Sequence, residues 1–168
     1  MTIRLHRGDL PDLSRYTGAV AIDTETMGLE PVRDRLCVVQ LSPGDGSADV
    51  VQIGRDIGPA PNLKALLADA SKLKIFHFAR FDIAILFKAL GVMPGPVYCT
   101  KIASRLTRTY TDKHGLKDLV KDMLGKDISK QQQLTDWGAE QLTEPQVAYA
   151  AEDVLHLHAL KDKLDVML

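Results

Sequence analysis

The sequence of 168 residues predicts an α/β domain in which a mixed, five-stranded sheet is flanked by helices. Five short apolar runs have the length and the β-branched content of buried strands. Two of these runs are joined by the turn sequence PGDG (43–46), which indicates an antiparallel hairpin. The later runs alternate with amphipathic segments, as in parallel strands that are joined by crossover helices.

The predicted strands come from runs with few charged residues. In chain order they are AVAIDTE (19–25), RLCVVQLS (35–42), ADVVQI (48–53), LKIFHF (73–78) and VYCT (97–100). Predicted helices cover 61–69, 79–91, 101–107, 114–125 and 143–164. Gly91 is placed as a C-terminal cap, and Thr143 with Gln146 forms a capping box that has Pro145 in the first turn.

Size and composition are those of a globular domain with its own core, and we expect one domain over residues 1–168. No apolar run approaches the roughly 20 residues of a membrane span, and the N-terminus lacks a signal-peptide core. Cys37 and Cys99 are too few for a disulfide framework, which fits a reducing cytoplasm. We therefore expect a cytoplasmic protein with no membrane partner. The net charge of −1 does not by itself indicate a nucleic-acid binder, although bound divalent cations would change that balance.

Two carboxylates stand at the end of the first predicted strand. Asp23 and Glu25 are separated by one residue, so their side chains point to the same face. Two such charges repel each other, and burying them is costly unless a cation lies between them. An Asp-x-Glu pair is common by chance, but this one lies where α/β sheets place their sites, at the carboxyl end of a strand.

A third acid opens the helix that follows the strand 73–78. Asp82 could simply complement the helix dipole, but its neighbours Phe81 and Ile83 are apolar, which favours a side chain facing the protein. If the two strands are parallel, Asp82 reaches the same edge as Asp23. His77 is interpreted at this point as a capping or core histidine rather than a ligand.

The last pair lies on the predicted helix 143–164. Tyr149 and Asp153 are four residues apart and therefore share one face of the helix. Taken alone, the pair would be a core tyrosine beside a solvated aspartate. The alanines at 148, 150 and 151 would let this helix approach the sheet closely.

In this order the four acids and the tyrosine resemble the DEDD superfamily of 3′–5′ exonucleases, in its tyrosine branch close to ribonuclease D. Asp23 and Glu25 match the first motif, Asp82 the second, and Tyr149 with Asp153 the third. The histidine branch would need a histidine at the position of Ala148. The resemblance implies a ribonuclease H-like three-layer fold.

Further segments are similar to ribonuclease D, namely HGLKDLV (114–120) and SKQQQLTDW (129–137). Ribonuclease D carries helical domains after its nuclease domain, and we expect none in this sequence. The small, single-domain nano-RNase C subgroup is therefore the better match. The similarity to this subgroup is greatest in the segments AIDTETMGLEP, HFARFD and DISKQQ. That subgroup implies a bacterial enzyme that degrades short single-stranded RNA, chiefly dinucleotides, and assembles as a homo-oligomer, an octameric ring.

The same resemblance implies two divalent cations, Mg²⁺ or Mn²⁺. Asp23 would bridge both ions, Glu25 and Asp153 would hold the one beside the attacking water, and Asp82 would support the other. Tyr149 would orient that water. The expected reaction is hydrolysis from the 3′ end, which releases nucleoside 5′-monophosphates.

Substrate contacts are also implied by the resemblance. Leu29 would wedge between two bases, with Thr26, Met27 and Gly28 around the terminal nucleotide, and His77 and Phe81 complete this set. A 5′ phosphate needs basic or polar partners, and the sequence does not choose among seven candidates: Arg105, Arg108, Lys113, His114, Lys117, Lys130 and Gln133.

Three alternatives remain open at this stage: a general ribonuclease D-like trimmer, a proofreading exonuclease acting on DNA, and an inactive nuclease fold that serves as a binding module. Two explanations remain for the apolar residues Val166, Met167 and Leu168 at the end of the sequence. Either they are buried at a subunit contact, or the natural chain continues beyond them.

Overall fold

The computed structural model describes residues 1–168 and contains one mixed sheet of six strands. The strands are β1 (Thr2–Arg7), β2 (Val20–Thr26), β3 (Leu36–Ser42), β4 (Ser47–Gln52), β5 (Lys74–Phe76) and β6 (Val97–Cys99). Their spatial order is β1-β4-β3-β2-β5-β6. The α/β class and the mixed sheet are confirmed, whereas the predicted count of five strands is wrong.

The sixth strand is β1, which lies at the edge of the sheet and pairs in parallel with β4. Four of the six residues in its sequence TIRLHR are polar, and all six are partly or fully exposed. The polar residues have partners on β4, since Arg4 donates to Asp49 Oδ1 over 2.8 Å and to Ser47 Oγ over 2.9 Å. An edge strand stabilised by polar pairs lacks the apolar run that identified the other five strands.

Strand directions bring five carboxyl ends to one edge of the sheet. The pairs β2–β3 and β3–β4 are antiparallel, which confirms the predicted hairpin. The pairs β1–β4, β2–β5 and β5–β6 are parallel. Only β3 therefore runs against the rest, and the ends of β2 and β5, where Asp23 and Asp82 were expected to meet, are neighbours.

Helices cover both faces of the sheet in a three-layer arrangement, as predicted. They are α1 (Pro61–Ala68), α2 (Ala79–Leu90), α3 (Thr100–Thr107), α4 (Leu116–Leu124), α5 (Glu144–Leu155) and α6 (Leu157–Met167). One core joins α1 and α2 to the sheet, and the other joins α3 to α6 to the opposite face. None of the six helices has both the length and the apolar character of a membrane span.

The single helix predicted over 143–164 is wrong, because the chain divides it into α5 and α6 at His156. The backbone of His156 has φ −105° and ψ −8°, and its Nε2 lies 3.0 Å from Glu152 Oε1. After the break, α5 packs on β2, β3 and β4, whereas α6 packs on α3, α4 and β5. The apolar spacing continues through the break, so the sequence pattern does not mark it. The capping box of Thr143 and Gln146 and the Gly91 cap are confirmed.

Candidate active site

Three of the predicted acids converge on one point at the carboxyl edge of the sheet. Asp23 and Glu25 come from β2, and Asp153 comes from α5. One carboxylate oxygen of each lies within 4.8 Å of the others. Helix α5 comes this close because Ala150 and Ala151, fully buried against the sheet, present no bulky side chain.

Asp82 reaches the same place from the opposite helical layer. Thr24 lies between Asp23 and Glu25 on β2, so its side chain points to the other face of the sheet. Its hydroxyl donates a hydrogen bond of 2.5 Å to Asp82 Oδ1, in the first turn of α2. Asp82 and Asp23 line the same cleft, and burial together with the charge of Asp23 raises the pKa of the Asp82 carboxyl. One strand thereby connects acids from both layers.

Burial and crowding favour the protonated forms of these carboxyls when no cation is bound. Burial raises the pKa of Asp23 to about 6. Burial and the charge of Asp23 raise the pKa of Glu25 to about 9, and the same two causes raise the pKa of Asp153. A divalent cation would offset this repulsion, and a set of carboxylate oxygens is the donor set that Mg²⁺ and Mn²⁺ prefer. The residues therefore fit the implied metal site.

Tyr149 lies one helical turn before Asp153 and lines the same cleft. Its ring packs on Trp137, with the ring centroids 5.8 Å apart. Burial and the charge of Asp153 raise its pKa, so the phenol stays protonated at neutral pH. Its hydroxyl can orient a water molecule by hydrogen bonding, but it is not a base.

The cleft has two lobes that meet at the acids. Both are lined by Asp23, Asp153 and Tyr149, and their volumes are about 360 and 350 Å³. Such volumes are in the lower range of small-molecule sites. All six residues predicted to contact substrate line the first lobe: Thr26, Met27, Gly28, Leu29, His77 and Phe81.

A tight turn presents Leu29 at the mouth of the first lobe. The β2–β3 ladder shifts register between Glu25 and Thr26, and the Thr26 hydroxyl donates to the carbonyl oxygen of Gly28. A Cβ at Gly28 would collide with Asp34 Oδ2, so this position has no room for a side chain while Asp34 stays in place. The Leu29 side chain is left 79% exposed.

His77 forms part of the wall between the two lobes. Its Nδ1 lies 2.8 Å from Thr100 Oγ1. Burial, reinforced by the charge of Lys101, lowers the pKa of His77 to about 4. The ring is therefore neutral at neutral pH, and it contributes a hydrogen-bonding group to the cleft rather than a charge.

Of the seven candidates for binding a 5′ phosphate, two line the cleft and five do not. Lys130 and Gln133 line the second lobe. The other five line neither lobe: Arg105, Arg108, Lys113, His114 and Lys117. Arg108 is only 1% exposed and donates to Ser104 Oγ, to the Lys113 carbonyl and to Asp122 Oδ2. These bonds hold the connection between α3 and α4, as does the contact of 2.7 Å between His114 Nδ1 and Ser104 Oγ.

The prediction missed several cleft residues. Lys101 lines the second lobe, with its Nζ 4.2 Å from the centre of the half-exposed Phe78 ring. Phe78 has φ 64°, a left-handed conformation that is rare for a bulky residue and that is often found at functional sites. Leu134 and Thr135 line the first lobe, and Leu134 is 93% exposed. The single leucine in the polar run QQQLTD could have indicated an exposed apolar contact, whereas nothing in the sequence predicts the left-handed backbone of Phe78.

A family model described as 3′-5′ exonuclease matches residues 10–168. Ribonuclease D of Granulibacter bethesdensis is 35% identical over 150 residues, which are 87% of this chain and 38% of that protein. The chain thus spans well under half the length of this curated relative. The structure of Escherichia coli RNase D matches with a TM-score of 0.80 and 30% identity, over 91% of this chain and 40% of the other.

Greater similarity is found among structures of Brucella melitensis NrnC. The structure with bound Mg²⁺ is 60% identical with a TM-score of 0.96, and the structure bound to pGG is 62% identical with a TM-score of 0.97. Both matches cover 100% of this chain and 82% of the other. The motif acids, the tyrosine and these matches show that the chain belongs to the 3′–5′ exonuclease family of ribonuclease D and, within it, lies close to NrnC.

Proposed function

We propose that this chain is a metal-dependent 3′–5′ exoribonuclease that hydrolyses short RNA, dinucleotides in particular, to nucleoside 5′-monophosphates. The observation that carries the proposal is the meeting of Asp23, Glu25 and Asp153 within 4.8 Å, beside Tyr149 and Asp82. Support for a short substrate comes from the related NrnC, which has been solved bound to pGG. The two compact lobes on either side of the acids also fit a substrate of about two nucleotides.

The carboxylates would hold the cations, and the remaining residues would orient the reactants. Bound Mg²⁺ or Mn²⁺ would lower the pKa of a coordinated water and stabilise negative charge on the phosphoryl group in the transition state. Asp23 and Glu25 on β2 and Asp153 on α5 would be ligands on one face of the sheet, and Asp82 on α2 would support them from the other face. The Tyr149 hydroxyl, protonated at neutral pH, would align the attacking water.

Two exposed leucines would grip the bases in the first lobe. Leu29 and Leu134 reach this lobe from different loops, and both leave most of their apolar surface in water. Contact with a base would remove that surface from water and would tolerate any of the four bases. We therefore expect little base preference.

The second lobe would receive the 5′ phosphate. It contains Lys101 and Lys130, together with the amide of Gln133. Lysine is a common point-charge partner of phosphate. We assign the phosphate to these three residues, two of which were among the seven candidates.

The chain would also form a homo-oligomer. A groove of about 460 Å³ lies beside the edge strand β6 and is lined almost entirely by apolar residues, including Val97, Ile102, Leu106 and Leu168. Exposed apolar surface of this kind is typical of subunit contacts. The family resemblance implies an octamer. Light scattering would test this state by comparing the particle mass of wild type with that of Ile102→Asp, which we expect to be smaller. The two cysteines are both free, which fits a cytoplasmic enzyme.

The proposal is tested by a product time course on 5′-labelled RNAs of two to seven nucleotides. The reactions contain Mn²⁺ or chelator, and Asp23→Ala is the inactive control. We expect the dinucleotide to disappear fastest. Equal or faster trimming of longer RNA would instead indicate a general ribonuclease D-like enzyme. Preference for matched DNA would indicate a proofreading type, and no cleavage at all would indicate a binding module.

A further inference from the structure

Gln40 is buried in β3 directly opposite Asp23 of β2, and its exposed fraction is 0%. Directly opposite residues of antiparallel strands project from the same face of the sheet. Gln40 therefore shares the face of Asp23 and Glu25, with Glu25 as its diagonal neighbour. A long side chain can reach such a neighbour, so the position gives the amide access to the acids.

The amide is only half satisfied. Its Nε2 donates a hydrogen bond of 3.2 Å to Glu25 Oε1, while its Oε1 is buried without a partner. An unpaired buried acceptor destabilises a fold, and an apolar side chain of similar length would avoid that cost. A group of this kind in the interior of a sheet needs a reason other than stability.

We propose that Gln40 is a positioning residue, whose N–H fixes the orientation of the Glu25 carboxylate beside Asp23 and Asp153. An amide is suited to this role because it donates a hydrogen bond without adding a charge that would compete with a cation. Partners behind metal ligands typically alter metal affinity by about 10- to 100-fold. The inference rests on the proposed function, since it concerns the affinity of the site for its divalent cation.

The test compares Gln40→Met with a matched control, Gln52→Met. Gln52 lies on the neighbouring strand β4 and is also buried with an unpaired Oε1. Its Nε2 donates to the backbone carbonyls of Ala139 and Glu140 rather than to a carboxylate. The measurement is the melting temperature of chelator-treated protein as a function of Mn²⁺ concentration.

We expect Gln40→Met to raise the midpoint Mn²⁺ concentration by about 10- to 100-fold, with hydrolysis recovering at saturating Mn²⁺. Gln52→Met should alter the melting temperature but leave this midpoint at the wild-type value. An unchanged midpoint in Gln40→Met, or an equal shift in both variants, would overturn the proposal.

If Gln40→Met does not fold, Gln40→Asn serves instead, because its amide is one carbon too short to reach Glu25. A wild-type midpoint in that variant would also overturn the proposal. The two proposals can fail separately. If the Mn²⁺ midpoint shifts as expected but the wild-type protein cleaves no RNA, Gln40 is a positioning residue and the proposed function is wrong.

Discussion

Burial of Glu25 and its closeness to Asp23 predict that Glu25→Gln stabilises the metal-free protein. The pKa of Glu25 is raised from 4.5 to about 9, so the folded chain keeps a proton that the unfolded chain releases. Between these two values the free energy of unfolding falls as pH rises, by about 1.4 kcal/mol for each pH unit. The penalty from this one group is therefore about 5 kcal/mol at pH 8 and about 2 kcal/mol at pH 6.

Glutamine removes this penalty, and its oxygen can still accept the hydrogen bond from Gln40. Part of the relief is lost because Asp23 and Asp153 then ionise more easily, so we expect about half of each value. In a thermal melt with chelator, the variant should unfold roughly 5–10 °C above wild type at pH 8, and the gap should narrow at pH 6. With saturating Mn²⁺ the order should reverse, because the variant lacks a ligand.

Glu140→Gln is the matched control, because that side chain is exposed and forms no ion pair. It should melt within about 1 °C of wild type at both pH values, as surface substitutions usually do. A Glu25→Gln variant that melts at or below wild type in chelator at pH 8 would refute the reasoning. It would mean that burial and the charge of Asp23 do not penalise the ionised Glu25 in the folded chain.

Leu29→Ser should raise KM for a dinucleotide about tenfold with little effect on melting, since burying a leucine side chain is worth about 1.5–3 kcal/mol. Val32→Ser, which is also exposed but lines neither lobe, should leave KM unchanged. Lys130→Met should reduce the preference for a 5′-phosphorylated over a 5′-hydroxyl dinucleotide. Arg108→Met should lower stability by about 2–4 kcal/mol and leave that preference intact, and a lost preference would show that Arg108 reaches the phosphate after all. Asp49→Asn should lower the melting temperature at pH 7. Burial opposes ionisation of Asp49, but hydrogen bonds from three partners lower its pKa below 3.8. The difference in melting temperature from wild type should therefore disappear only as the pH falls below that value.

The acids could be predicted because local geometry places each pair on one face and because their order along the chain resembles the DEDD exonucleases. Strand alternation places Asp23 and Glu25 on one face, and helix spacing places Tyr149 and Asp153 on one face, whatever the rest of the fold. The position of Asp82 needed one more assumption, that two strands run in parallel, and the β2–β5 pairing confirms it.

Other features depend on tertiary contacts that no local pattern shows. The edge strand β1 is held by side-chain pairs with β4 rather than by its own apolar run. The break at His156 comes from the two different surfaces that α5 and α6 cover. Arg108 looks like its basic neighbours in the sequence, but its donors are occupied inside the protein. A residue type indicates which ligand it could bind, whereas only the fold shows whether it is free to do so.

The hydrogen bond between Thr24 and Asp82 joins α2 to one face of β2, whereas Asp153 approaches β2 from the other face on α5. The acidic cluster is therefore complete only when both helical layers have docked. A chain with one layer in place has the strand and part of the motif, but it lacks either Asp82 or Asp153. On the proposed function, nuclease activity would require both layers to be in place, so partly folded chains would not cleave RNA. Metal binding at this site would likewise indicate that the whole domain is folded, rather than one segment of it.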